Sequence, residues 1–302
     1  MTILLTGGAG FIASHIADAY IKAGHKVVII DDLSNGKLKN INKKAIFRFG
    51  SITDFSFLEG IFKQFKPDVV NHHAAQISVT KSIENPKLDF EINTIATNYL
   101  ACLCFIYKVK KFIFASTAGA LFPNCSTPPT VFTTPEPISP YGKNKWASEK
   151  FLTHVFNNGE YQVTILRYSN VYGSRQRFDG EGGVVAIFAD KLLKGEPITI
   201  YGDGKQTRDF VFVQDVVKAN ILALSDYQGV FHVSTGIRTD VLTLLNTLKT
   251  VLNVKDNEVI HCEERNGEIR DSVISPFLIN KNFKITKLAK GLQITAKYYA
   301  NN

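Results

Sequence analysis

The sequence predicts an α/β protein: a parallel sheet with helices on both faces, followed by a smaller C-terminal α+β unit. Three observations carry this. Short runs rich in Val, Ile and Phe alternate with longer helical patterns through the first half, as in strand–helix–strand units whose strands run parallel. The stretch TGGAGFIASH (6–15) sets glycines at the joint between the first strand and the first helix. After Gly173 the pattern changes to short strands, isolated helices and Gly-rich turns such as YGDGKQTRD (201–209). The expected division is 1–173, with a segment near 212–236 returning to it, and 174–302 for most of the second unit.

In order, TILLT (2–6) reads as the first strand; its apolar start lacks a basic leader, so it is not read as a signal peptide. Gly10 to Ala23 is helical, KVVII (26–30) is a strand ending at Asp31 and Asp32, and AIFRF (45–49) is the next. A helix follows over Phe55 to Phe65, then the strand DVVNH (68–72) just after Pro67. A long helical stretch runs from about Asn85 to Val109, and KFIFAS (111–116) is a buried strand. CSTPPTVFTTPEPISP (125–140) is too rich in proline for regular structure. It leads into a helix with Ser139 as cap and Pro140 in the first turn. VTILRYSNVYG (163–173) reads as one strand ending in a polar loop, QDVVKANILALSD (214–226) as an amphipathic helix, and GVFHVS (229–234) as a strand returning to the sheet. The last thirty residues are basic and polar and end in a frayed YYANN.

Hydrophobic residues make up 45% of the chain, and no apolar run reaches the ~18 residues that cross a bilayer. Lys and Arg total 35 against 27 for Asp and Glu, a net charge of +8. That favours small anionic ligands. The lysines are dispersed, without a zinc-finger or arginine-rich block, so no nucleic-acid partner is expected. Cys102, Cys104, Cys125 and Cys262 lack metal-ligand spacing or a disulfide framework; reduced thiols in the cytoplasm are the simplest reading, and no metal is expected.

Gly7 and Gly10 let the chain turn tightly and let a pyrophosphate approach the backbone N–H groups of the first helix. Asp31, at the end of the second strand, can accept both adenosine ribose hydroxyls and would repel a 2′-phosphate, which favours NAD over NADP. Tyr141 and Lys145 in SPYGKNKWASEK (139–150) lie one helical turn apart. Alone, such a pair is more often a packed phenol and a solvated ammonium. Beside a dinucleotide fingerprint it is an acid–base pair, in which the ammonium, an oxidised nicotinamide and the helix N-terminus all favour the phenolate.

These motifs resemble the extended short-chain dehydrogenase/reductase family, and within its NAD-dependent epimerase/dehydratase members most closely those that act at C4 of UDP-glucose. The resemblance covers nearly the whole chain and implies a Rossmann-like sheet. TGGAGFIASH matches the family fingerprint except for Ala13 in place of its last glycine, a methyl that would loosen or shift the first helix against the sheet. By resemblance Phe11 and Ile12 follow the pyrophosphate turn. Asp31, Asp32, Asn35 and Gly36 of DDLSNG form the adenosine-ribose loop, and Ser51-Ile52 replaces the usual Asp-Ile at adenine. Ala74, Ala75 and Gln76 of HHAAQ, with Asn93, line the cofactor.

The resemblance also implies that Tyr141 is the base, that Lys145 holds the nicotinamide ribose, and that a hydroxyl from FASTAGALF completes the set. Thr117 is preferred, with Ser116 as neighbour or alternative. No Asp-Glu pair follows Thr117, which argues against the dehydratase branch. RYSNVYGSRQ (167–176) places Tyr168 beside the nicotinamide and Asn170 on a substrate phosphate. Arg208 would clamp the diphosphate, and Tyr201 would lie along the base. Arg265 and Glu268 of EERNGEIRDS would bind a second phosphate oxygen and a ribose. Ser272 stands where relatives carry a bulky tyrosine, which leaves UDP-glucose and UDP-N-acetylglucosamine both open.

The expected reaction is NAD-dependent epimerisation at C4 of a UDP-hexose through a 4-keto sugar. The rivals are a dehydratase or reductase on the same scaffold and a non-catalytic NAD-sensing regulator. Relatives pair through two long helices, so a homodimer through the stretches near 90–108 and 142–158 is expected.

Overall fold

The computed structural model describes residues 1–125, 127–156, 160–179, 182–254, 257–264, 269–277 and 283–301. Its centre is a seven-stranded sheet. The first strands and helices alternate: β1 (Thr2–Thr6), α1 (Phe11–Lys22), β2 (Lys26–Asp31), β3 (Ile46–Phe49), α2 (Phe55–Phe65) and β4 (Val69–His72). Helices α3 (Val79–Glu84), α4 (Pro86–Phe90) and α5 (Ala96–Ile106) follow, with a π turn over Glu91–Ile95 between the last two. Then come β5 (Lys111–Thr117), α6 (Pro140–Val155) and β6 (Gln162–Tyr168).

The second half contains β7 (Asn170–Tyr172), α7 (Val184–Lys194), β8 (Ile198–Tyr201), β9 (Thr207–Arg208), β10 (Phe210–Phe212), α8 (Val213–Leu222) and β11 (Gly229–Val233). It ends with β12 (Thr239–Asp240), α9 (Val241–Leu252), β13 (Val259–Cys262), β14 (Asp271–Ser272) and α10 (Leu288–Ala300).

The sheet order is β11-β6-β5-β4-β1-β2-β3, and every pairing is parallel. A strand buried on both faces must be apolar at successive positions, and β1 shows why. Leu4 joins Val70, Phe112, Phe114 and Ile165 under α2, α5 and α6. Ile3 and Leu5 point the other way, onto Ile16, Ala17 and Tyr20 of α1 and Val216 and Val217 of α8. A third core, with Phe188, Leu192, Ile198, Leu244, Leu248 and Leu292, lies under α7, α9 and α10. Because all seven strands run one way, Thr6, Asp31, His72, Thr117 and Tyr168 end on one edge, with the order reversing between β1 and β4. Ligands of open parallel sheets bind at that position.

Four expectations need correction. The single strand over 163–173 is two: Ser169 separates β6 from β7, and β7 pairs with β10 in a separate two-stranded sheet. The long helix over 85–109 spans Pro86–Ile106 and carries the π turn, with the extra helix α3 before it. Helix α8 stops at Leu222, short of residue 226. The tail read as basic and polar with a frayed YYANN end forms α10 through Ala300, which buries Leu292, Thr295 and Ala296; its Leu–Ala–Thr stripe at helical spacing was obscured by the intervening lysines.

Candidate active site

The nucleotide end is built by close approaches. Gly7 has φ +70, and a Cβ there would lie 2.7 Å from the Ala74 backbone nitrogen. Only glycine fits such a conformation without strain. Its N–H donates to Ile30 O at 2.8 Å, and Gly10 N–H donates to Gly7 O at 3.0 Å, opening α1. Asp31, 7% exposed, accepts from Ala9 N at 2.9 Å and Leu33 N at 2.8 Å. Burial raises the pKa of its carboxyl. A Cβ on Gly36 would meet Asp31 Oδ1 at 2.7 Å, so the loop packs against that carboxylate.

Asp32 instead turns its carboxylate to Ser34, accepting from its N–H at 3.0 Å and its hydroxyl at 2.6 Å. Asn35 accepts from Arg177 at 3.4 Å. Ser51 bonds with the Thr53 hydroxyl at 2.9 Å, and the Ile52 side chain is in the core. Phe11 is half-buried against His15, and Ile12 packs on the α1 face of the sheet. Ala13 is buried in that same layer, which takes up its methyl.

Beyond β4, Ala74 N–H donates to Thr6 Oγ1 at 3.1 Å. Ala75 and Gln76 follow. Gln76 N–H donates to Asn93 Oδ1 at 3.1 Å, and Asn93 Nδ2 donates back to Gln76 O at 2.9 Å.

At the chemical end, Ser139 caps α6 by accepting from Gly142 N–H at 3.1 Å, with Pro140 in the first turn. Thr117 stands close enough to the Tyr141 phenol to lower its pKa, whereas Ser116 donates to buried Glu149. The two neighbouring hydroxyls are thus separated: Thr117 faces the phenol, and Ser116 serves a structural ion pair. Lys145, 4% exposed, holds its Nζ 4.1 Å over the Phe114 ring.

Burial, then the charge of Asp89, push Tyr141 up to about 12, against the lowering bond from Thr117. Burial likewise pushes Lys145 down to about 7, opposed by Glu149 and Asp89. Desolvation penalises whichever form is charged, and for both groups it is the largest cause.

Several contributors escaped the sequence reading. Asn220 Nδ2 donates to Tyr168 Oη at 2.9 Å and to Val216 O at 2.8 Å. The same hydroxyl shares a hydrogen bond with His73 Nε2, 3.1 Å away. His73 Nδ1 is a buried atom with no partner among the described residues. Burial lowers the His73 pKa to about 3, so the ring is neutral. A glycine cradle and a carboxylate at the end of the second strand fit a dinucleotide, whose pyrophosphate meets backbone N–H groups and whose ribose hydroxyls meet the carboxylate. The doubled histidine in HHAAQ was the available signal. Asp89 and Glu149 gave none, being acids in ordinary helical patterns.

At the substrate end, Arg208 on β9 stands in register with Ser272 on β14 and donates to Thr207 O at 2.8 Å. A Cβ on Gly119 would lie 3.1 Å from Ser272 Oγ, which joins this sheet to the loop after Thr117. Asn170 is exposed at the start of β7, its N–H donating to Asp209 O at 2.9 Å. Tyr201 ends β8, on a different small sheet. Arg265 and Glu268 lie outside the described residues. Among the described residues there is no cluster of His, Cys, Asp and Glu that could hold a metal.

Comparison with known proteins agrees with this geometry. The model of the NAD-dependent epimerase/dehydratase family matches residues 3–235. A UDP-glucose 4-epimerase of Mycolicibacterium smegmatis is 35% identical over 316 aligned residues, covering 100% of this chain and 99% of its own. The crystal structure of a Thermotoga maritima UDP-glucose 4-epimerase with UDP-glucose superposes at a TM-score of 0.95 with 40% identity, covering 100% and 99% of the two chains. That of a Thermus thermophilus UDP-glucose 4-epimerase complex with NAD gives 0.93 and 37%, covering 99% of each.

Proposed function

The chain belongs to the NAD-dependent epimerase/dehydratase family, and from that premise we propose that it inverts C4 of a UDP-hexose, interconverting UDP-glucose and UDP-galactose through a 4-keto sugar. The observation that carries this reading is Tyr141 with Thr117 beside its phenol and Lys145 one turn on, on the sheet edge that holds the Gly7 cradle and Asp31.

Bound NAD supplies a positively charged hydride acceptor. Gly7, Gly10 and the start of α1 receive its pyrophosphate. Asp31, with Asn35, Gly36, Ser51 and Ile52, receives the adenosine; Ala74 to Gln76, Asn93, Lys145 and Tyr168 take the other half. Thr117 orients the C4 oxygen. Tyr141 Oη takes the C4 hydroxyl proton and returns it after the ketone has presented its other face. With its pKa near 12, Tyr141 is a base only when positive charge enters the cleft, so proton removal is tied to the oxidised cofactor. Asn170, Tyr201 and Arg208, with Arg265 and Glu268, grip the nucleoside diphosphate; planar guanidinium donors suit its oxygens. The small Ser272 beside Gly119 favours UDP-N-acetylglucosamine as a second substrate.

The division into an NAD-binding unit (1–173) and a mainly substrate-binding unit (174–302) is supported by the third core, drawn mostly from α7, α9, α10 and the strands after Gly173. A homodimer through the helical stretches near 90–108 and 142–158 is supported by exposed Phe90, Ile95 and Ile106. A cytoplasmic location is supported by four free cysteines. No helix among the described residues is long and apolar enough to cross a membrane.

The test is chromatography of products from UDP-glucose, with no net NADH formed. Tyr141→Phe is expected to abolish turnover and keep NAD bound; turnover that survives the change overturns the mechanism. Water loss would identify a dehydratase, stoichiometric NADH use a reductase, and NAD binding without any turnover a regulator.

A further inference from the structure

Asp89 is fully buried and is held by three neutral amides from three separate elements. Its Oδ1 accepts from Gln76 Nε2 at 2.7 Å and Asn93 Nδ2 at 2.9 Å, and its Oδ2 from Asn144 Nδ2 at 2.7 Å. Asn144 directly precedes Lys145 and lies three residues after Tyr141. Two further bonds seat the same helix on the π turn: Ser148 Oγ donates to Asn93 O at 2.7 Å, and Thr94 Oγ1 to Asn144 O at 3.4 Å. A buried carboxylate costs several kcal/mol unless its oxygens are satisfied, and here the three amides supply its hydrogen bonds.

We propose that Asp89 is a positioning residue for the reaction, locking the Tyr141–Lys145 face of α6 onto the π turn and placing a fixed negative charge beside the reacting pair. This rests on the chemical reading of Tyr141 given above. The charge raises the pKa of both Tyr141 and Lys145. The other groups facing the pair are Thr117 on the phenol, Glu149 on the ammonium, and His72 and His73, which both sense Lys145. Asp89 thus holds the proton on the phenol until a positive ring arrives, and so guards against premature ionisation.

Asp89→Asn keeps an acceptor for Gln76 and Asn93 but faces an amide with the Asn144 amide. In the full chain with NAD bound, kcat is expected to fall roughly tenfold. The acid limb of the pH profile of kcat/KM should move to lower pH by about half a unit or more, because losing the negative charge eases ionisation of the phenol. A merely structural defect lowers the rate without moving the limb. The exchange Asp89→Asn with Asn144→Asp reverses donor and acceptor and keeps one carboxylate at the contact; it should restore the rate to within about threefold. Asn144→Leu, which removes the donor and keeps the charge, should lower kcat with the limb in place, and it serves if Asp89→Asn does not fold.

An unmoved limb in Asp89→Asn, or full activity in Asn144→Leu, overturns the proposal. If those results come with an inactive Tyr141→Phe, only the role of Asp89 fails. An active Tyr141→Phe instead removes the reading beneath it.

Discussion

Replacing Glu149 with glutamine tests the tightest electrostatic contact beneath the site. Glu149 and Arg167 have side chains 1% and 2% exposed. Arg167 Nε donates to both carboxylate oxygens at 3.0 and 3.1 Å, and Nη2 to Oε2 at 2.6 Å. The guanidinium lies 5.4 Å from the Phe122 ring centre and 5.6 Å from that of Trp146. Glutamine keeps the size but neutralises the anion and turns an amide donor toward the guanidinium. Stranding one charge of a buried pair costs about 3–5 kcal/mol. At about 2 °C per kcal/mol for a chain of this size, Tm should drop by roughly 6–10 °C. Thermal unfolding followed by circular dichroism reads this directly. The double variant Glu149→Leu with Arg167→Met leaves no charge to strand and should recover most of the loss. A single variant melting within about 2 °C of the parent, or a double variant no better than the single, would refute the reasoning.

Lys145→Met should abolish turnover yet raise Tm at neutral pH. The folded-state pKa of Lys145 is about 7, against about 10.4 unfolded. Between those values the unfolded chain binds the extra proton, so the lysine's cost is greatest below pH 7 and disappears as pH rises toward 10. The gap in Tm between variant and parent, measured from pH 7 to 10, should therefore shrink. Thr117→Val removes the hydroxyl from Tyr141 and should cut kcat about 100-fold at nearly unchanged Tm. Ser116→Ala, which takes a donor from Glu149, should instead cost about 1–3 kcal/mol of stability in a urea titration and leave most of the activity.

The sequence by itself determined the sheet, the glycine turn and the Tyr141–Lys145 spacing, because each is local: period, φ preference and helical repeat are written in neighbouring residues. It also put Asp31 at the end of β2, since a strand end fixes where a side chain emerges. Only the tertiary structure decided which hydroxyl serves which partner, because Ser116 and Thr117 alternate across a strand and their neighbours come from β6 and α6. It likewise decided how far burial shifts the Tyr141 pKa, and that Asp89, His73 and Glu149 all act on Lys145. Desolvation and long-range charge depend on what packs around a group. A linear pattern of residues does not contain that information until the strands and helices have closed over it.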